Sequence, residues 1–158
     1  MGKLKIYLDT SVISHLKHDD TPDKMRDTLK LWDDIKNGKY EVFISETTFE
    51  EIYECHQPKR DLMLRYLSEI EVKEIKISGD IEELAQIVID AGILKQKSFD
   101  DCLHIASAVL NGCNYIVSWN FKHMVNVNTN RGIRLIAFNR GFKDIELVTP
   151  TMLVESEG

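Results

Sequence analysis

Four side chains that could together hold a hard cation lie far apart in the sequence: Asp9, Glu51, Asp101 and Asn120. Three carboxylates in one pocket repel one another, which costs stability unless a cation is bound among them. Carboxylate and amide oxygens suit Mg²⁺ or Mn²⁺ better than zinc. The residue types therefore predict a site for a hard divalent cation, provided that the fold brings the four side chains together.

The predicted strands would bring these side chains together. Short apolar runs alternate with amphipathic helical stretches, and the predicted strands are Leu4–Leu8, Tyr40–Ile44, Val72–Ile77, Tyr115–Val117 and Ile145–Val148. Such alternation predicts an α/β fold, a three-layer α/β/α sandwich around a mostly parallel sheet of about five strands. Right-handed crossovers place the carboxyl ends of these strands along one edge, where open α/β sheets bind ligands. We expect the four residues at that edge.

Asp9 and Asn120 follow strands directly, whereas Glu51 and Asp101 lie in the first turns of predicted helices. Each also has an explanation without chemistry. Asp9 or Asn120 can help to cap a following helix, and acids such as Asp101 stabilise a helix N-terminus. These explanations do not account for four such residues at one edge of a sheet.

Other local features have structural interpretations. Thr10 or Ser11 is expected to cap the helix after the first strand. Glu50 follows Thr47 at the spacing of a capping box. His104 lies on a helix that is apolar nearly all round, which favours a hydrogen-bonded core histidine.

Two more histidines, His15 and His18, have a spacing that a metal could use, but no further ligand pattern accompanies them.

Length and composition indicate one domain. The 158 residues are enough for a substantial core, and we expect a domain over residues 1–150 followed by a short tail, 151–158. No apolar run approaches the length of a membrane span, and no signal-like segment precedes the first strand. Three cysteines without a CxxC pair favour free thiols in the reducing cytoplasm.

The charge distribution leaves room for a nucleic-acid partner. A net charge of −6 argues mildly against one. The segment 119–143, however, contains five Lys and Arg residues and no Asp or Glu. A basic segment on an acidic body can be a solvated face, or it can hold phosphates.

Four motifs give the chain a specific resemblance. They are Leu8–Val12 (LDTSV), Ile44–Ile52 (ISETTFEEI), Asp101–Ala106 (DCLHIA) and Ser118–His123 (SWNFKH). In this order they resemble the acidic motifs of PIN-domain nucleases, a family that includes the VapC-type toxin ribonucleases. The acids of the first three motifs fall on Asp9, Glu51 and Asp101. The fourth departs from the family pattern, because Asn120 stands where the family often has aspartate.

The resemblance implies a metal-dependent endoribonuclease with Mg²⁺ or Mn²⁺ as cofactor. Asp9 and Asp101 would be the main metal ligands. Glu51 would bind a second ion or orient the attacking water, and Asn120 would bind the metal directly or through water. In-line hydrolysis would leave 5′-phosphate and 3′-hydroxyl ends.

Candidates for contacts to phosphate or RNA lie in the first motif and in the basic segment. They are Thr10, Ser11, Ser118, Lys122, Arg131 and Arg134.

Partners also follow from the resemblance. Besides an RNA substrate, a toxin of this type would pair with a small antitoxin that blocks the acidic pocket, and homodimerisation is common in the family. No membrane partner is expected.

Three alternatives stand beside the ribonuclease. A degenerate PIN fold that binds RNA or protein without cutting is favoured by Asn120 and the acidic net charge, and opposed by the three intact acids. A phosphatase of the haloacid dehalogenase type wants a second acid two residues after the first, where Ser11 stands. An aspartic protease would need a second Asp-Thr-Ser triplet, which the chain lacks.

Overall fold

The computed structural model describes residues 2–155, and they form a parallel sheet with helices on both faces. The strands are β1 (Leu4–Leu8), β2 (Tyr40–Ser45), β3 (Lys73–Ile75), β4 (Tyr115–Val117) and β5 (Glu146–Val148). The helices are α1 (Thr10–Ser14), α2 (Pro22–Lys36), α3 (Glu46–Glu54), α4 (Lys59–Leu67), α5 (Gly79–Asp90), α6 (Phe99–Leu110), α7 (Val127–Asn139) and α8 (Pro150–Glu155), with a 3₁₀ turn at Gln96–Ser98 before α6.

The strand order is β3-β2-β1-β4-β5, and every neighbouring pair is parallel. β1 is therefore the central strand, paired with β2 through Ile6 and Val42 and with β4 through Leu8 and Val117. The predicted three-layer α/β/α sandwich with about five parallel strands is confirmed. The chain switches direction across the sheet at β1, so its carboxyl end lies at the crevice where such sheets bind ligands.

The two faces of the sheet bury separate apolar clusters. Ile6 and Leu8 of β1 pack with residues from α2, α4 and α8. Tyr7 points to the opposite face, is fully buried and packs with residues from α5, α6 and α7. Both faces of the central strand are thus buried, as is usual in a parallel sheet. As predicted, α6 is buried, with seven of its residues in the interior.

Two predicted helix caps are wrong. The N-cap of α1 is Asp9, whose side chain accepts a hydrogen bond from Ser11 N, so neither Thr10 nor Ser11 is the cap. The capping box of α3 joins Ser45 and Thr48. Thr47 and Glu50 do not form it, because the helix begins two residues before the predicted box would place it. An acid at the N-cap of α1 also suits the positive end of the helix dipole.

Helix α8 spans the predicted boundary at residue 150. Its Leu153 is buried and belongs to the cluster beneath β1, and Thr151 Oγ1 donates to Asp27 Oδ2 of α2 at 2.6 Å. Residues 150–155 therefore pack on the domain, and the rest of the expected tail, 156–158, lies outside the described residues. Within residues 2–155 no helix is long and apolar enough to cross a bilayer.

Candidate active site

Asp9 lies at the carboxyl end of β1 and is held by hydroxyl groups on both carboxylate oxygens. Ser11 Oγ donates to Asp9 Oδ1 and Ser118 Oγ donates to Asp9 Oδ2, each at 2.6 Å. Only 5% of the residue is exposed. Burial raises the pKa of Asp9 above its ordinary value, while His104 and the two serine hydroxyls act in the opposite direction. A buried carboxylate of this kind stabilises a nearby cation.

Glu51 is paired with a buried histidine. Its Oε1 accepts a hydrogen bond from Thr10 Oγ1 at 2.7 Å and lies 2.5 Å from Nε2 of His104. Nδ1 of His104 lies 2.6 Å from the hydroxyl of Tyr7, which lies 2.8 Å from Ser45 Oγ. Glu51 is thereby fixed by groups from β1, α1 and α6.

The protonation of this pair follows from its surroundings. Burial opposes the charged form of His104, but Tyr7, Glu51 and Asp9 outweigh it and hold the pKa of His104 well above its ordinary value. Burial also opposes ionisation of Glu51, yet the His104 and Thr10 hydrogen bonds lower its pKa overall. The raised pKa favours the imidazolium form of His104, in which both ring nitrogens donate, one to Glu51 and the other to Tyr7.

Asp101 lies one turn before His104 on α6 and is paired with another histidine. His123 Nδ1 is 3.0 Å from Asp101 Oδ2. The backbone N–H of His123 donates to Asn120 Oδ1 at 3.0 Å, so Asn120 also caps the turn that follows β4. Asn120 does not cap a helix as predicted, because only a turn follows it and the N-cap of α7 is Asn126. Its contact with His123 links Asn120 to Asp101 through one residue.

Two hydrogen-bonded groups of side chains meet at this edge of the sheet, and the backbone between Asp9 and Thr10 connects them. Asn120 N donates to Ser118 Oγ at 2.9 Å, and Ser118 donates to Asp9. Thr10, next to Asp9 in sequence, donates to Glu51. The fold therefore brings four sequence-distant residues to one edge, joined through serine, threonine and histidine.

The acids are nevertheless not arranged to coordinate one metal ion together. In residues 2–155 no group of three or more His, Cys, Asp or Glu side chains is placed to hold one ion. The physical reason is visible in the contacts, because Glu51 is paired with His104 and Asp101 with His123. The donor chemistry nevertheless suits a hard cation, and each histidine contact involves one of the two oxygens of its acid, Oε1 of Glu51 and Oδ2 of Asp101.

The basic candidates lie in different surroundings. Lys122 lines a cavity of about 290 Å³ together with Lys95, Lys97, Ser98 and His123, beside the Asp101 pair.

Farther along the basic segment, Arg134 is bound to Asp144 by two hydrogen bonds of 3.0 and 2.9 Å. Arg131 is exposed on the same helix, α7. Thr10, Ser11 and Ser118 use their hydroxyls on the acids themselves.

Sequence reasoning missed several residues of this edge. Nothing in the chain signals that Tyr7 is the partner of His104, since their side chains meet only across β1 and α6. Lys95 and Lys97 precede the predicted acid of the third motif, and their proximity to Lys122 depends on a contact between two loops. His123 lies in the fourth motif, and its place in that motif is the signal in the sequence that could have pointed to it.

His15 and His18, whose spacing a metal could use, contact each other. The rings of His15 and His18 are stacked, with centroids 4.5 Å apart and planes inclined by 19°. Nδ1 of His15 also donates to the backbone carbonyl of Ser11 at 2.7 Å. His15 is the C-cap residue of α1.

Solved structures share this architecture. VapBC2 from Rickettsia felis, crystallised with a DNA fragment from their promoter, aligns with a TM-score of 0.56 and 16% identity, covering 92% of this chain and 98% of that chain. VapC20 of Mycobacterium tuberculosis, described as a toxin that cleaves the sarcin–ricin loop, aligns with a TM-score of 0.58 and 18% identity, covering 75% of this chain and 92% of that chain. At these identities the likeness shows the fold alone.

The sequence comparison with protein families is more specific. No curated protein sequence matches the chain. The family described as PIN domain matches residues 5–122, three quarters of the chain. This range contains Asp9, Glu51, Asp101 and Asn120. The chain therefore belongs to the PIN-domain family of nucleases, the family that its four motifs resemble.

Proposed function

We propose that the protein is an endoribonuclease that depends on Mg²⁺ or Mn²⁺. The observation that carries the proposal is the set of contacts at this edge: Ser118 links Asp9 to Asn120 by hydrogen bonds, and Thr10, the residue after Asp9, donates to Glu51. It supports a shared role for residues that are distant in sequence. Membership of the PIN-domain family supports nuclease chemistry as that role.

The residues suited to hold the cation are Asp9, Asp101 and Asn120, with Glu51 beside them. Their oxygens are the hard donors that Mg²⁺ and Mn²⁺ prefer. When bound, such a cation lowers the pKa of a water molecule and neutralises charge that develops on the scissile phosphate. Such a cation would stabilise the charged form of Asp9, whose pKa is raised by burial.

The chain's own residues have separable tasks in hydrolysis. Ser11 and Ser118 orient Asp9 by donating to both of its oxygens. Glu51 is kept ionised by His104 and Thr10 on Oε1, so Oε2 is available to orient the attacking water and accept its proton. The lysines around the neighbouring cavity supply positive charge for the RNA backbone.

RNA cleavage by matched variants tests the proposal. Purified protein is incubated with single-stranded RNA in Mg²⁺, Mn²⁺ or EDTA, and the ends of the products are analysed. We expect cleavage with either metal and none in EDTA, leaving 5′-phosphate and 3′-hydroxyl ends. Asp9→Asn and Asp101→Asn should lower the rate at least a hundredfold, because each removes a ligand charge.

Asp100→Asn is the control, since Asp100 is exposed in the same turn of α6 as Asp101. It should cut RNA at the wild-type rate. If wild type cuts no RNA with either metal, or if Asp9→Asn cuts as fast as wild type, the proposal is wrong.

A specific observation favours a second candidate, a PIN fold that binds RNA or protein without cutting it. Two of the acids are already in contact with histidines, Glu51 with His104 and Asp101 with His123, and Asn120 removes one charge from the site. In this case the histidines would keep a cation out permanently. The absence of metal-dependent cleavage, together with RNA binding, would identify this function.

We also propose that the protein is the toxin of a toxin–antitoxin pair, in the cytoplasm, with a small antitoxin as partner. The support is family membership and the likeness of its fold to the two VapC proteins. Expression of the chain alone should slow bacterial growth, and Asp9→Asn should relieve this effect. Normal growth at high soluble expression of the wild type would contradict the toxin role. Homodimerisation stays a prediction, which a measurement of the molecular mass in solution would test.

A further inference from the structure

Beside the acids, the loop after β4 carries two aromatic rings and a lysine in mutual contact. Trp119 and Phe121 flank Asn120 in the chain, and their ring centroids are 6.3 Å apart with planes inclined by 59°. The Nζ of Lys24, from the first turn of α2, lies 5.5 Å from the Trp119 centroid and 5.3 Å from the Phe121 centroid. We call Lys24, Trp119 and Phe121 the aromatic platform.

The platform has a rigid base. Trp119 is only 7% exposed, and its indole N–H donates to Thr28 Oγ1 of α2 at 2.9 Å. Its backbone N–H donates to Ser11 Oγ at 2.9 Å, and Ser11 in turn donates to Asp9. The platform is thus fixed to the catalytic edge by hydrogen bonds at both ends of Trp119.

Phe121, by contrast, is half exposed although Lys24 and Trp119 both contact it. Burial of the ring therefore does not explain its position. Among the exposed large apolar side chains of residues 2–155, Phe121 is the one that adjoins a proposed metal ligand in the chain. An exposed flat ring with a cation beside it presents the two groups that single-stranded nucleic acids use, a stacking surface and a phosphate partner.

We propose that the aromatic platform binds a base of single-stranded RNA next to the phosphate that is cleaved, by stacking on Phe121, with Lys24 facing the adjoining backbone. The inference rests on the proposed function, which supplies RNA as the ligand. It adds the substrate's form: the base must be unpaired and turned outward, since a base inside a helix cannot offer its face. Stacking of this kind tolerates any base, so the platform selects single-stranded RNA more than sequence.

The test measures binding without cleavage. A fluorescein-labelled single-stranded RNA octamer of mixed sequence is titrated with protein in EDTA at low salt, and the dissociation constant is read from fluorescence anisotropy. Phe121→Ala should weaken binding about fivefold to a hundredfold, which is the effect of losing one stacked base. Phe121→Leu keeps apolar bulk without a flat ring and should be nearly as weak, whereas Phe121→Trp should bind at least as tightly as wild type.

The matched control is Phe138→Ala. Phe138 is also an exposed phenylalanine, 81% accessible, near the far end of α7, and its loss should leave binding unchanged. An octamer with abasic sugars at every position should bind the wild type no more tightly than the ordinary octamer binds Phe121→Ala. Circular dichroism establishes that each variant is folded.

The inference is overturned if folded Phe121→Ala and Phe121→Leu bind RNA like wild type, which would leave the platform to a protein partner. It is also overturned if Phe138→Ala loses as much affinity, if the abasic strand binds equally well, or if the wild type binds no RNA. The proposed function fails separately. If the protein binds RNA through Phe121 but does not cleave it, the proposed nuclease function is wrong and the aromatic platform stands. If the protein cleaves RNA but its affinity does not depend on Phe121, the nuclease function stands and the platform is wrong.

Discussion

The Nε2 atom of His104 lies 2.5 Å from Oε1 of Glu51, so the side chain that the sequence marks as a core histidine is also the cationic partner of a candidate catalytic acid. Only 1% of His104 is exposed. The contact places a positive charge among acids that would otherwise repel one another. It explains how the fold tolerates Asp9 and Glu51 near each other.

Replacing His104 should reveal this role as a pH-dependent loss of stability. In EDTA, His104→Leu should lower the free energy of unfolding by about 2–4 kcal/mol at pH 5.5, because it leaves Glu51 without its cation. The pKa of His104 is raised in the folded protein, so its contribution is complete below the unfolded pKa, about 6.5, and is lost as pH rises through the folded value. Urea unfolding at pH 5.5 and pH 9 measures both.

The loss relative to wild type should therefore be larger at pH 5.5 than at pH 9. Glu51→Gln, which removes the other charge, should flatten the same dependence. An equal loss at both pH values would mean that His104 is a packing residue without a charge.

Asn120→Asp should strengthen metal binding. Aspartate retains an oxygen that can accept the hydrogen bond from His123 N and adds a negative charge near Asp9, which attracts a cation. We expect Mn²⁺ to bind about tenfold more tightly by titration calorimetry. Asn128→Asp is the control, since Asn128 is exposed on α7, and it should bind Mn²⁺ like wild type. Unchanged affinity in Asn120→Asp, or an equal gain in both variants, would separate Asn120 from the metal.

Gly132 is required by a close approach between α7 and the loop after α5. A Cβ at this position would lie 2.6 Å from Cδ1 of Ile93, whereas one at Gly79 in α5 would meet nothing within 4 Å. Gly132→Ala should lower the free energy of unfolding by about 1 kcal/mol, since overpacking outweighs the gain in helix propensity. Gly79→Ala should raise it by about 0.5 kcal/mol. Urea unfolding that finds Gly132→Ala as stable as Gly79→Ala would contradict this packing.

Thiol labelling should distinguish the three free cysteines. Cys102 and Cys113 are at most 1% exposed, and burial raises the pKa of each thiol to about 12. Their thiolate fraction at pH 8 is then about one in ten thousand, so they should react only on unfolding. Cys55 is partly exposed and should react first. With a chromogenic disulfide reagent we expect one fast thiol in native protein and three in denaturant, and three fast thiols in the native state would count against the core as described.

The strand pattern could be predicted because apolar alternation and the punctuating glycines act locally. Asn37-Gly38 ends α2 as predicted, since Gly38 adopts a φ of +83° that other residues avoid. The cap of α1 could not be predicted, because Asp9, Thr10 and Ser11 are all good capping residues. The residue at which β1 ends decides which of the three is the cap.

The site could be predicted only as a set of acids. Their convergence follows from parallel strands, and this much is local pattern plus topology. The pairing of Glu51 with His104 and of Asp101 with His123 depends on packing between elements that are distant in sequence. The same holds for Lys24 above Phe121. No periodicity encodes such contacts.

The most direct test of the central claim, that these acids hold a divalent cation, is the anomalous diffraction of crystals soaked in Mn²⁺. We expect a Mn²⁺ peak in contact with the carboxylates of Asp9 and Asp101. Absence of a peak at this edge, at a Mn²⁺ concentration that supports RNA cleavage, would contradict the claim.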